Sequence, residues 1–293
     1  MSISEPVTAA SSVDTRPTRH ESFLAYDRFR YLKWATLLVV LSFAMYLIVR
    51  PYGTPYGGGW TGYTLGTVGA LLIVWLTWFG YRKRSYAGDH GRLAARLSAH
   101  VYLGLALLFV ATLHTGFHLG WNIHTLAYAL MCIVIASGVF GVFAYARYPR
   151  MMTENRENMT TGQMLGRIAG IDDDLRNMVM PLDDTTVAVV ERAIASTEVG
   201  GSAWRQLSGY HPRCTTAMAI AHMEAHANEV PDASAEVWRQ TRLKLDEKAA
   251  VLQRLRGDIR YKALMEVWLY LHVPLTFALI AALIAHIVSV FFL

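Results

Sequence analysis

The fold is decided by two apolar stretches, LSAHVYLGLALLFVATLHTGFHL at residues 97–119 and LYLHVPLTFALIAALIAHIVSVFFL at residues 269–293. Each stretch holds two histidines fourteen residues apart: His100 with His114, and His272 with His286. Fourteen helical residues make just under four turns, so the members of a pair face the same way within roughly 40° and lie about 21 Å apart. In a bilayer core about 30 Å thick, that spacing places one histidine toward each side.

The composition indicates an integral membrane protein. Of the 293 residues, 54% are hydrophobic, and the mean hydropathy is positive. The predicted fold class is all-α, an integral membrane helical bundle of five transmembrane helices with a helical insert, because each apolar segment is about long enough to span a bilayer. We expect these helices at residues 31–49, 63–81, 97–119, 124–145 and 264–292.

Polar segments divide the chain into four regions. Residues 1–30 are mixed in charge and predicted to be flexible, and they show no secretory signal pattern. Residues 31–150 carry the first four membrane helices, residues 151–263 form the insert, and residues 264–293 form the fifth helix. The polar insert therefore separates the two histidine-bearing helices.

The insert is predicted to be a small helical bundle. Thr160 and Gln163 match a capping box, and a second helix is expected from Asp184 to about Ser196. A third is expected over 203–227, and a long charged helix from about Ser234 toward the membrane. The sequence has no Gly-rich phosphate loop, so we expect no built-in flavin or nicotinamide domain.

Basic residues predict the orientation in the membrane. Lys and Arg cluster before the first helix and after the second and fourth, whereas the loops at 50–61 and 119–123 carry one arginine between them. By the positive-inside rule the N-terminus and the insert are cytoplasmic, and Leu293 is outside. The third and fifth helices then run in one direction. The net charge of +5 follows from these clusters and implies no nucleic-acid partner.

The matched histidine pairs predict haem. Ionisable residues in lipid mark functional sites, and a b-type haem that carries electrons takes two axial imidazoles. We therefore expect two non-covalent haem b groups, with His100 and His272 as iron ligands toward the cytoplasm and His114 and His286 toward the outside. Interhelical hydrogen bonding of the same histidines is the alternative.

Several side chains near these sites have more than one interpretation. Arg96 and Arg147 flank the inner site, where they would pair with haem propionates or simply fix topology. His118 lies one helical turn past the first pair, but its spacing does not match that of the last helix. The sequence leaves the roles of His118 and His124 open. They could contact a propionate, relay a proton, contact an electron acceptor, or lie at the membrane interface without a role.

The glycines at the start of the second helix also leave two interpretations open. Gly62, Gly66 and Gly69 fall on nearly one face. Small residues of this kind allow close helix packing. They would also leave room for a flat macrocycle.

The two cysteines, Cys132 and Cys214, form no CxxC or CxxCH motif, which argues against a c-type haem or an iron–sulfur cluster. A structural disulfide is not expected, because Cys132 falls in an apolar helix. In the insert, His211, His222 and His226 join Cys214 as candidate metal ligands. Their spacing matches no common zinc module, which favours a solvated helix surface.

The stretch Ser137-Gly138-Val139-Phe140-Gly141, followed by Tyr145-Ala146-Arg147-Tyr148-Pro149-Arg150, resembles bacterial diheme membrane cytochromes b. The histidine pairs are similar to those of the cytochrome b and ferric reductase-like transmembrane folds. The resemblance covers the membrane helices and not the insert. It implies transmembrane electron transfer in a bacterial inner membrane, but no particular donor or acceptor. We expect the chain to be the cytochrome b subunit of a membrane oxidoreductase, in a complex or homo-oligomer, with a quinone or a redox protein as partner. The competing functions are a metal or proton transporter and a non-redox membrane anchor.

Overall fold

The computed structural model describes residues 23–50, 58–82, 90–157 and 159–292. These residues are almost entirely helical and contain no strand. The helices are α1 (Tyr26–Val49), α2 (Trp60–Arg82), α3 (His90–Thr115), α4 (Ile123–Arg156), α5 (Thr161–Met178), α6 (Asp184–Ala195), α7 (Ala203–Ser208), α8 (Thr215–Ala225) and α9 (Ala235–Phe292). They fall into two compact units divided between Gly120 and Trp121, with α1–α3 in the first and α4–α9 in the second.

Five helices are long and apolar enough to cross a membrane: α1, α2, α3 and segments of α4 and α9. No more than 33% of the residues in any of their apolar windows are buried, and many large apolar side chains on α1, α2, α4 and α9 are exposed. Such extensive apolar surface is unfavourable in water and is expected of helices in lipid. The prediction of an all-helical chain with five helices able to span a membrane is therefore confirmed.

In the first unit, α3 packs against both other helices. Val110 is fully buried and packs with Leu113 of α3 and Leu65 of α2. Leu38 and Met45 of α1 close the same cluster. At the middle of α3, the Tyr102 hydroxyl donates a hydrogen bond to the Leu24 carbonyl at 2.9 Å. These contacts fix which face of α3 is turned toward α2.

The second unit contains the polar insert and the helix pair α4–α9. In the insert, α5 and α8 pack on the first half of α9, and α6 packs against α8 and α5. Fully buried Leu175, Val190 and Leu245 lie in the resulting core. The predicted capping box is present: Gln163 N–H donates to Thr160 Oγ1, and Thr160 N–H donates to Gln163 Oε1. The long charged helix and the last membrane helix form the single 58-residue helix α9.

Two predicted helices end earlier than the sequence pattern suggested. Helix α3 ends at Thr115 and not at 119, because Gly116 and Phe117 adopt left-handed backbone conformations with φ of 56° and 63°. The helix predicted over 203–227 is split into α7 and α8. The break begins at Gly209, whose φ of 69° is left-handed and ends α7.

Candidate functional site

His114 lies near the end of α3 with its ring against α2. Its Nδ1 is 2.8 Å from the carbonyl oxygen of Gly62. A carbonyl only accepts, so Nδ1 carries the proton and Nε2 keeps its lone pair. The ring occupies the space left by Gly66, where an added Cβ would lie 2.8 Å from His114 Cε1. The glycine face of α2 therefore accommodates an imidazole of α3.

His272 on α9 is held in a comparable way by α4. Its Nδ1 is 2.7 Å from Ser137 Oγ, and Ser137 Oγ donates to the Val134 carbonyl at 2.7 Å. Because a hydroxyl has one proton, His272 Nδ1 is the donor in the first bond, which leaves Nε2 with its lone pair. Trp268 packs 5.5 Å from the His272 ring and donates from Nε1 to the Ser137 carbonyl at 2.6 Å. Gly138 is also adjacent: a Cβ there would be 3.5 Å from the His272 ring.

His286, near the end of α9, contacts His124 in the first turn of α4. The two Nδ1 atoms form a hydrogen bond, and the rings are nearly perpendicular with centroids 4.6 Å apart. Neutral imidazoles bond in this way only when one Nδ1 is protonated and the other is not. The sequence left the role of His124 open, and the structure makes it the partner of a predicted iron ligand.

His100 and the two predicted propionate partners occupy different surroundings. The half-buried His100 ring packs 5.3 Å from the ring of Phe79 in α2. Arg96 lies one turn before it on α3 and is half-buried, and Arg147 is exposed on α4. His118 is exposed in the turn after α3. The sequence spacing would place His118 on the same helical face as His100. Because α3 ends at Thr115, His118 lies outside the helix and does not continue that face.

The candidate metal ligands of the insert make other interactions. His222 and His226 stack with ring centroids 4.4 Å apart, and His222 Nε2 is 3.2 Å from Thr186 Oγ1. Cys214 accepts a hydrogen bond from Arg256 at 3.4 Å. Burial raises the pKa of the Cys214 thiol, but the hydrogen bond and charge of Arg256, together with backbone hydrogen bonds from Ala217 and Thr216, outweigh it and leave the pKa below its ordinary value. Within the described ranges, no three His, Cys, Asp or Glu side chains come together as a metal site.

Three histidines thus share one feature. His114, His272 and His286 each have Nδ1 in a hydrogen bond to an adjacent helix. Metal-ligating histidines are usually held through the second ring nitrogen, which fixes the tautomer and the ring orientation. The residues therefore fit a group that binds histidine Nε2, and a haem iron needs only two such ligands from the protein.

No protein-family model, curated protein or solved structure matches this chain. The resemblance to diheme membrane cytochromes b accordingly stays a prediction from the residues quoted above. A fold of membrane-spanning helices is compatible with many functions, so the histidines and their partners are the features that bear on what this protein does.

Proposed function

We propose that this protein transfers electrons across a membrane through two b-type haems. The haem ligands are His100, His114, His272 and His286. The observation that supports this most strongly is the pair of hydrogen bonds that Nδ1 of His114 and Nδ1 of His272 donate, because each favours Nε2 as the metal-binding atom. Nδ1 of His286 is also engaged in a hydrogen bond, with His124. When bound, haem supplies one-electron exchange between ferric and ferrous iron.

The pairing of ligands follows from the predicted topology. With the N-terminus in the cytoplasm of a bacterial cell, α3 and α9 both run outward, and His100 shares the inner haem with His272. His114 shares the outer haem with His286. Arg96 and Arg147 lie toward the cytoplasmic end and would neutralise the inner propionates.

The proposed setting is a membrane oxidoreductase in which this chain is the cytochrome b subunit. A quinol or a cytoplasmic reductase would supply electrons, and the insert would dock a soluble partner or hold subunits together. Carboxylates within the spans would favour a metal or proton transporter. Helix α2 contains no Asp or Glu, and neither does α3 from Leu93 to Thr115.

Electron transfer across vesicles tests this proposal. Proteoliposomes would enclose ferricyanide, each molecule of which takes up one electron, and a membrane-impermeant reductant would be added outside. We expect haem-loaded wild-type protein to bleach the ferricyanide many times faster than His114→Ala, because that variant lacks a ligand of the outer haem. The matched control, His118→Ala, should behave as wild type. Haem-loaded wild-type vesicles no faster than empty ones would contradict electron transfer across the membrane.

A further inference from the structure

We propose that His124 is a positioning residue for His286: it accepts a hydrogen bond from His286 Nδ1 and so directs His286 Nε2 toward the iron. This inference rests on the proposed haem function. It assigns a role to a histidine that lies outside both matched pairs and on a different helix.

The register of α4 on α9 supports this role. Along α9, His272 and His286 are fourteen residues apart, and along α4 the residues beside them, Gly138 and His124, are also fourteen apart. The helices are antiparallel, so one face of α4 meets both histidines. At the His272 end the residue before Gly138, Ser137, supplies its Oγ as the acceptor. At the other end it supplies the imidazole of His124.

Proton placement sets the direction of the bond. An iron ligand must keep the lone pair on Nε2, so the single proton of a neutral His286 lies on Nδ1. In the Nδ1–Nδ1 contact His286 is then the donor and His124 the acceptor. The position of His124 is itself fixed by the start of α4, where Asn122 Oδ1 accepts a hydrogen bond from Thr125 N–H at 3.0 Å.

A hydrogen bond donated by His286 Nδ1 changes the midpoint potential of the haem iron that His286 binds. An imidazole that donates from Nδ1 is a more basic ligand and stabilises ferric iron. Loss of the acceptor should therefore raise the midpoint potential of the haem that His286 binds and leave the other unchanged. The haem itself should stay bound, because both axial ligands remain.

Redox titrations of the purified, haem-loaded full chain test this role in three variants. His124→Ala should keep both haems and shift one component to more positive potential, and that component should be the one missing in His286→Ala. His124→Asn should bring the potential back toward wild type, because the amide oxygen takes nearly the place of Nδ1 and accepts a hydrogen bond. His118→Ala, which removes a histidine six residues away in the sequence, should titrate as wild type.

Several results would overturn this role. An unchanged titration in His124→Ala would show that the hydrogen bond does not tune the iron. Loss of a haem would make His124 itself a ligand, and failure of His124→Asn to restore the potential would mean that the ring acts only by its bulk. A wild-type protein without haem would overturn the proposed function together with this inference. A loaded wild type with an unaffected His124→Ala would overturn the inference alone.

Discussion

Replacing either His100 or His272 by Ala should remove one and the same haem and leave the second haem bound. A single imidazole leaves an axial position of the iron open, so each ligand of a pair is needed for binding. His114→Ala and His286→Ala should likewise remove the other haem. A redox titration of the four variants measures this directly, because the two haems should differ in potential with their burial and hydrogen bonding.

Double variants sharpen this test of the ligand pairs. Replacing both members of one pair should have little more effect than replacing one, because residues that act as a unit are non-additive. If His100→Ala and His286→Ala removed the same haem, α3 and α9 would have to run in opposite directions. The orientation inferred from the arginines would then be wrong.

Asp172→Ala should destabilise the insert strongly. Lys248 is fully buried in the core of the insert, with Nζ 2.5 Å from Asp172 Oδ1 and 2.8 Å from the Ala193 carbonyl. Removing one partner of a buried ion pair leaves an uncompensated charge, at a cost of about 3–5 kcal/mol. Thermal unfolding of the full chain in detergent, followed by circular dichroism, should show a clearly lower transition for this variant.

A neighbouring ion pair provides the matched control. Asp174 bonds to Lys244 at 2.8 Å, but its side chain is 53% exposed, and such pairs contribute about 0.2–1 kcal/mol. Asp174→Ala should therefore unfold almost as wild type. Lys248→Met should have a smaller effect than Asp172→Ala, because it removes the buried charge. Equal losses in the two aspartate variants would contradict a role for burial at Lys248.

The sequence predicted those parts of the fold that depend on local pattern. Apolar segments of bilayer length gave five helices, and Thr160 with Gln163 gave a helix start that the structure reproduces. The ends of α3 and α7 were missed. Apolar or mixed residues continue past both ends, while the chain turns at Phe117 and Gly209 through left-handed conformations. Residues other than glycine rarely adopt a left-handed conformation, so the sequence does not predict one at Phe117.

The sequence predicted the histidines of the candidate site but not the residues that hydrogen-bond to them. The spacing within each histidine pair lies inside a single helix, so it can be read directly from the sequence. Their partners Ser137 and His124 could not be identified, because the contacts depend on how α4 is aligned with α9 across more than 130 residues of sequence. The equal separations along the two antiparallel helices become meaningful only once that alignment is known.

The central claim is tested most directly by the haem content of the wild-type protein. The full chain would be produced with ample haem, purified in mild detergent and assayed as the pyridine haemochrome against protein concentration. The two histidine pairs predict close to two non-covalent b haems per chain. A well-folded protein that is colourless under these conditions would contradict the proposal, and the four histidines would then serve only as hydrogen-bonding groups between helices.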